Sequence, residues 1–203
     1  GLTTTMLLYF YSRTGKADNH RGKNMNFSSE IIEKIKKIKL VVFDVDGVLT
    51  DGIIWLGESE ELKGFNVRDG AGVKYLMRAG LQSAILTGRE SVAVSRRAVE
   101  LGVDICEQGK KVKLPTLEKI VQQAGVDVSE TACMGDDLTD LPILQRSGLF
   151  IAPADAVQEI RDRADIVTIA TGGHGSVREA AEIILKTQGK WNKILERYIE
   201  VQS

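Results

Sequence analysis

Asp44 and Asp46 stand two residues apart in Asp44-Val45-Asp46-Gly47, directly after the apolar run Leu40-Val41-Val42-Phe43. The run is short, β-branched and ended by glycine, which predicts a buried parallel strand. Both carboxylates then lie at the carboxyl end of a strand, where open α/β sheets collect their ligands. Residues at i and i+2 point the same way, so two negative groups face one spot. They repel unless a positive charge lies between them, and a divalent cation is the obvious one. A calcium loop of the EF-hand type does not fit. It needs a third ligand two residues on, a closing glutamate, and a helix on either side.

Further chemistry follows other apolar runs. Met134-Gly135-Asp136-Asp137-Leu138-Thr139-Asp140-Leu141-Pro142 places three acids within five residues. A buried, isolated acid is costly, but acids gathered at a strand end opposite Asp44 and Asp46 make sense as metal ligands and their supports. Leu86-Thr87-Gly88-Arg89 supplies a hydroxyl and a glycine amide suited to phosphoryl oxygens. Lys113 opens a helix after Gly109-Lys110-Lys111-Val112 and can neutralise a phosphate as a point charge, with Lys110 and Lys111 as rivals. Taken singly, a Thr-Gly turn or a lysine is commonplace; the order of all four elements is what carries information.

The elements that must position these groups alternate. Strand-like runs are Leu40-Phe43, Ser83-Leu86, Asp104-Cys106, Thr131-Met134, Leu149-Ile151 and Ile166-Ile169. Helical spacing joins Val94, Ala98 and Leu101, then Leu114, Leu117 and Val121, then Val177, Ala181 and Ile184 in a last long helix from about Ser176. Pro115 suits a first helical turn. This pattern predicts an α/β fold: a doubly wound, Rossmann-like parallel sheet with helices on both faces. One segment breaks the alternation. Residues 52–67 read as a β-hairpin flap beside the two aspartates. It is too small to act as a separate lid domain, so Ile54 and Trp55 are expected either to pack on their own domain or to cover a neighbouring subunit.

The 203 residues are enough for one domain with a sizeable core. Acidic and basic residues nearly cancel to a formal charge of −1, which offers no nucleic-acid footprint. Cys106 and Cys133 fall in strand-like runs and read as ordinary buried thiols. No apolar run is long enough to span a membrane, so the expected location is the cytoplasm. Residues 1–25, Thr-rich and then polar without a period, read as a disordered or non-native tail. Residues 26–203 read as one domain. His20 in the tail and His174 in Gly172-Gly173-His174-Gly175 are expected to be solvated.

Strand-DxDG, strand-TG, lysine and strand-GDDxxD, in this order, resemble the four motifs of the haloacid dehalogenase superfamily of phosphohydrolases. A narrower likeness rests on Phe65-Asn66-Val67-Arg68-Asp69-Gly70-Ala71-Gly72, on Gly135-Asp136-Asp137-Leu138-Thr139-Asp140-Leu141-Pro142, and on Gly172-Gly173-His174-Gly175-Ser176-Val177-Arg178-Glu179. These are similar to the phosphatases of 3-deoxy-D-manno-octulosonate 8-phosphate (KDO 8-phosphate), from about Ile31 to Trp191. The resemblance implies Asp44 as nucleophile and Asp46 as general acid and base. It implies Mg2+ held by Asp44, Asp136 and the Asp46 carbonyl, with Asp137 and Asp140 orienting them. Thr87, Gly88 and Lys113 would bind the phosphoryl group. Arg68, Arg89 and Arg178 are candidates for the carboxylate of a phosphorylated sugar acid, and a homotetramer would cover the site. The alternatives are a phosphatase of a nine-carbon sialic-acid-like 9-phosphate, a phosphotransferase or mutase, and a catalytically idle oligomerisation module.

Overall fold

The computed structural model describes residues 27–199 apart from Ser59. The expectation for residues 1–25 lies outside the described residues. The chain opens with α1 (Ser29–Lys37), whose first turn is capped by the Ser28 hydroxyl accepting from the Ile31 N–H at 3.3 Å. Then come β1 (Leu40–Phe43), a hairpin of β2 (Trp55–Leu56) and β3 (Glu61–Leu62), α2 (Val67–Arg78), β4 (Gln82–Leu86), α3 (Val92–Leu101) and β5 (Ile105–Glu107). The second half runs α4 (Lys113–Ala124), β6 (Thr131–Met134), α5 (Leu141–Leu144), β7 (Leu149–Ala152), α6 (Gln158–Arg161), β8 (Ile166–Val167), α7 (Ser176–Thr187) and α8 (Trp191–Ile199).

The main sheet has the order β5-β4-β1-β6-β7-β8, and its pairs are parallel. Counting only those strands, the order is 3-2-1-4-5-6, the doubly wound Rossmann arrangement. β1 and β6 are the first and fourth, so the ligand crevice belongs at their carboxyl ends. Strand parity divides the core. Val41 and Phe43 of β1, Met134 of β6 and Ile151 of β7 face the layer built with α1, α2, α3, α7 and α8. Leu40, Val42, Cys133 and Phe150 face the layer built with α4, α5 and α6. Phe43 and Phe150 are buried on opposite faces, and such side chains each contribute about 1.5–3 kcal/mol relative to exposure.

The predicted strands match to within a residue or two, and the Val94-Ala98-Leu101 and Val177-Ala181-Ile184 stripes are buried. In α4 the buried residues are Lys113, Thr116, Leu117 and Ile120, while Leu114 and Val121 lie at the margin. The expectation of two buried thiols needs correcting: Cys133 is buried but Cys106 is exposed, because β5 is an outer strand and turns that side chain away from the core. The flap is also shorter than residues 52–67. Only Trp55–Leu56 and Glu61–Leu62 pair, and Asn66 instead caps α2, its side chain accepting from the Arg68 N–H at 2.8 Å. Helices α1, α2 and α8 do not stand out in the sequence, and α8 follows what reads as the last long helix. Gly70 and Gly72 obscure α2, since each costs about 1 kcal/mol against alanine in a helix interior. Tertiary contact overrides that cost. A Cβ on Gly72 would press on the Arg178 backbone of α7, and one on Gly70 would overlap the Arg97 guanidinium. The glycines let α2 sit close to its neighbours.

Candidate active site

Two backbone links register the chemistry at the crevice. The Asp44 N–H donates to Met134 O at 3.0 Å, tying the end of β1 to the end of β6. The Gly135 N–H donates to Ile151 O at 3.3 Å, tying β6 to β7. After Asp44 the chain makes a tight turn, closed by the Thr50 N–H and hydroxyl, which donate to Val45 O at 3.0 and 3.2 Å. Gly47 in this turn has φ +83°, and a Cβ there would overlap the Asp136 carboxylate. Glycine is therefore required twice over, for the left-handed conformation and for the space it leaves the acid.

Asp44, Asp136 and Asp140 place carboxylate oxygens within 4.8 Å of one another. Lys113 lies among them, its Nζ 2.6 Å from Asp140 and 3.1 Å from Asp44, with a side chain only 2 % exposed. Of the three rival lysines, this is the one that meets the acids: Lys110 pairs with Glu107 at 3.4 Å and Lys111 is exposed. Burial pushes the Asp44 carboxyl up to about 6; Lys113 opposes this and Asp140 adds to it. Asp136 is pushed up to about 8, first by burial and then by the charges of Asp44 and Asp140. Burial works against the Lys113 ammonium, but Asp44 and Asp140 outweigh it and hold its pKa above the usual lysine value.

These side chains fit a divalent cation. Asp136 Oδ1 is buried and has no hydrogen-bond partner. A second positive charge beside Asp44 and Asp136 would satisfy that oxygen and reverse the electrostatic burden on both acids. Asp140 is already engaged. Besides Lys113, its carboxylate accepts from the N–H groups of Asp136 at 3.1 Å and Asp137 at 3.3 Å. It thus holds the backbone of the acid loop while Asp136 faces the crevice. Asp137 turns away: its exposed carboxylate accepts from the Leu138 N–H at 2.7 Å and caps the turn Leu138–Asp140.

At the end of β4, Thr87 is buried and its hydroxyl accepts from the Arg89 N–H at 3.4 Å. Gly88 follows it in the turn, where the nearest atom to an added Cβ, Lys110 O, is 3.9 Å away. Of the three candidate arginines, Arg89 is the one in contact with the aspartate loop, its Nε 3.8 Å from Asp46 Oδ2. Arg68 is exposed in the first turn of α2. Arg178 donates to Glu182 at 2.7 Å and stacks over the rings of Tyr75 at 4.6 Å and Trp191 at 5.4 Å, which binds it to the α2–α7–α8 face.

The sequence reading missed two supports. The first is the flap's own reach. Lys63 Nζ donates to Asp46 Oδ1, and Glu61 accepts from Arg89 at 2.8 Å. A hairpin thought too short to close on its own site therefore does contact it. Period-two alternation held the clue, because Glu61 and Lys63 share a face. The second support is the loop Gly172–Gly175. The Gly173 N–H donates to Val48 O at 2.9 Å, and a Cβ on Gly172 would overlap the Gly47 carbonyl. Buried Asp69 of α2 anchors this loop to α7 by accepting from the N–H groups of Gly175 at 3.0 Å and Arg178 at 2.8 Å. His174 is exposed and folds back on the loop, Nδ1 2.9 Å from Gly172 O.

A doubly wound sheet with an acid cluster and a buried lysine at its switch point is the arrangement of haloacid dehalogenase-like hydrolases, and a sequence profile of that family matches residues 103–179. The chain is 41% identical over 164 residues to the 3-deoxy-D-manno-octulosonate 8-phosphate phosphatase KdsC of Escherichia coli strain K12, covering 80% of this chain and 87% of that protein. It is 42% identical over 159 residues to the enzyme of the same name from Haemophilus influenzae, covering 78% and 88%. Among solved structures, the 3-deoxy-D-manno-octulosonate 8-phosphate phosphatase of Moraxella catarrhalis, in complex with magnesium ion, phosphate ion and KDO, superposes with a TM-score of 0.81. That pair is 40% identical over 83% of this chain and 98% of the other. The chain belongs to the 3-deoxy-D-manno-octulosonate 8-phosphate phosphatase family, a group of phosphoric monoester hydrolases.

Proposed function

We propose that this chain is a magnesium-dependent phosphomonoesterase that hydrolyses KDO 8-phosphate to KDO and inorganic phosphate. The observation that carries the reading is the cluster of Asp44, Asp136 and Asp140 carboxylates, with buried Lys113 paired to Asp44 and Asp140. Its relatives supply the substrate, since the Moraxella catarrhalis phosphatase is solved with magnesium, phosphate and KDO.

A phosphate monoester dianion and a carboxylate nucleophile repel. At ~4 Å and an effective dielectric of about 20, each pair of unit charges costs roughly 4 kcal/mol. The Asp44 and Asp136 carboxylates and the Asp46 carbonyl would hold Mg2+, which would supply the charge that offsets this repulsion. Asp44 attacks phosphorus, the bond from phosphorus to the sugar oxygen breaks, and Asp46 gives that oxygen a proton. Water then attacks the aspartyl-phosphate and passes a proton to Asp46. Inorganic phosphate leaves and the Asp44 carboxylate is restored. Thr87, the Gly88 N–H and Lys113 bind the phosphoryl oxygens through transfer. Asp140 keeps Lys113 and the acid loop in place. Arg89 is favoured for the sugar carboxylate, because it is half exposed beside Asp46 whereas Arg178 is engaged on another face.

The test is a panel of KDO 8-phosphate, a nine-carbon sialic-acid-like 9-phosphate and other sugar-acid phosphates. The highest kcat/KM is expected on KDO 8-phosphate, lost in chelator, restored by magnesium and inhibited by calcium. Calcium's larger, flexible coordination shell spoils in-line attack. Preference for the nine-carbon substrate would transfer the assignment to the alternative. Full turnover after exhaustive metal removal would refute the ion's role.

We also propose a cytoplasmic homotetramer. No helix among the described residues is long and apolar enough to cross a membrane. The flap leaves Ile53, Trp55, Leu56 and Leu62 between 50% and 80% exposed, an apolar tip suited to a neighbouring subunit. Light scattering is expected to give the mass of four chains, and a single-chain mass for fully active protein would exclude the assembly.

A further inference from the structure

Four charged side chains from three separate segments close a ring. Lys63 Nζ, after β3, donates to Asp46 Oδ1 of the aspartate loop. Glu61 Oε1 of β3 lies 3.6 Å from the same Nζ. Arg89, after β4, donates through Nη2 to Glu61 Oε2 at 2.8 Å, and its Nε lies 3.8 Å from Asp46 Oδ2. Two cations alternate with two acids, so the ring is neutral as a whole. Its members differ in freedom: the Lys63 side chain has no exposed surface, while that of Arg89 is 52 % exposed.

Apart from the contact of β3 with α3, the described part of the flap has little else to hold it there. Each of its strands is two residues long, and Ile53, Trp55, Leu56 and Leu62 are exposed to solvent. Its base is fixed through Phe65, which packs on the core and lies under Arg97 at 5.7 Å. Between that base and the tip, the ring ties the hairpin to the crevice. A buried ammonium is costly unless hydrogen-bonded, and Glu61 Oε1 at 3.6 Å is too far to take the place of Asp46, so Lys63 stays on Asp46 unless another acceptor comes as close.

We propose that Lys63 is a positioning residue. It holds the Asp46 carboxylate in one orientation and latches the flap to it, so that the flap and the acid–base group are placed together. This deepens the phosphatase reading and rests on it for the role of Asp46. The division of labour follows from burial: Arg89 can leave the ring for an incoming substrate carboxylate, while Lys63 stays on Asp46.

A general acid matters most when the leaving group is poor. In Lys63→Met, kcat on the sugar phosphate is therefore expected to fall by about 10- to 100-fold with KM changed by less than about 3-fold. Release of p-nitrophenolate from p-nitrophenyl phosphate, a good leaving group, should fall by less than about 3-fold. Amide hydrogen exchange, followed by mass spectrometry without substrate, should accelerate in the hairpin and not in the sheet. Lys63→Arg, which keeps the charge, should recover most of both effects. An equal loss on the two substrates, an unchanged kcat on the sugar phosphate, or unchanged exchange in the hairpin would each overturn the proposal. If Lys63→Met fails to fold, Lys63→Gln, which keeps a polar side chain but loses the charge, decides: weaker protection of the hairpin with a loss confined to the poor leaving group supports the latch, and wild-type behaviour in both refutes it. A wild-type protein inactive on every phosphate ester would sink the phosphatase reading, and the exchange measurement would still judge the latch.

Discussion

Asp44→Asn is expected to abolish phosphate release from the sugar phosphate while the protein stays folded. Asparagine has nearly the volume of aspartate but cannot act as the attacking carboxylate, and loss of a nucleophile in a concerted site costs roughly three to six orders of magnitude in kcat. The fold should not suffer. Asparagine keeps the backbone N–H bond to Met134 O, and although it gives up the charge that faces Lys113 at 3.1 Å, the lysine keeps its closer partner, Asp140, at 2.6 Å. Burial raises the Asp44 pKa to about 6. A carboxyl whose folded pKa lies above its unfolded value weakens the fold once the pH exceeds both, as at neutrality without metal. Asparagine lacks that penalty, so thermal unfolding in chelator at neutral pH should occur at the wild-type temperature or slightly above it. A variant that retains more than a few per cent of the wild-type rate would remove Asp44 from its role.

Lys113→Met should damage both stability and turnover, which distinguishes it from Asp44→Asn. Lys113 is the cation that separates two buried acids, 3.1 Å from one and 2.6 Å from the other. Methionine fills a similar space but leaves Asp44 and Asp140 facing each other without a counter-charge. Removing one partner of a buried ion pair costs about 3–5 kcal/mol, and the lysine is too buried for solvent to moderate this. The melting temperature should drop clearly, and kcat should fall by about 10²–10³-fold through loss of a phosphoryl contact. Lys113→Met with Asp140→Asn should recover part of the stability and none of the activity, because the repulsion is relieved but the contact is not restored. A Lys113→Met protein as stable and as active as wild type would show that the charge lies outside both the core and the chemistry.

The strands, the doubly wound class and the chemistry at the strand ends could be read from the chain alone, since each is encoded locally. Buried parallel strands must be short continuous apolar runs, and acids that directly follow such runs have few stable explanations besides a ligand site. Asp44, Asp136 and Thr87 are legible for that reason. Helix α2 was not, because Gly70 and Gly72 weaken its local signal and make sense only against Arg97 and Arg178. Lys113 stands out from its rivals Lys110 and Lys111 as the lysine that opens a helix, but its pairing with the acids was decided by the way the start of α4 turns it inward. The arginines separated for the same reason: Arg89 meets Asp46, while Arg178 is taken up by Tyr75, Trp191 and Glu182. The flap's contact with its own site joins Lys63 to Asp46 across 17 residues and Arg89 to Glu61 across 28. Residue type and spacing thus determined which groups lie at the ends of the strands. Which charges meet there was decided by the tertiary structure, because ion pairing depends on a few ångströms of separation in space and on burial, and neither is a property of neighbours along the chain.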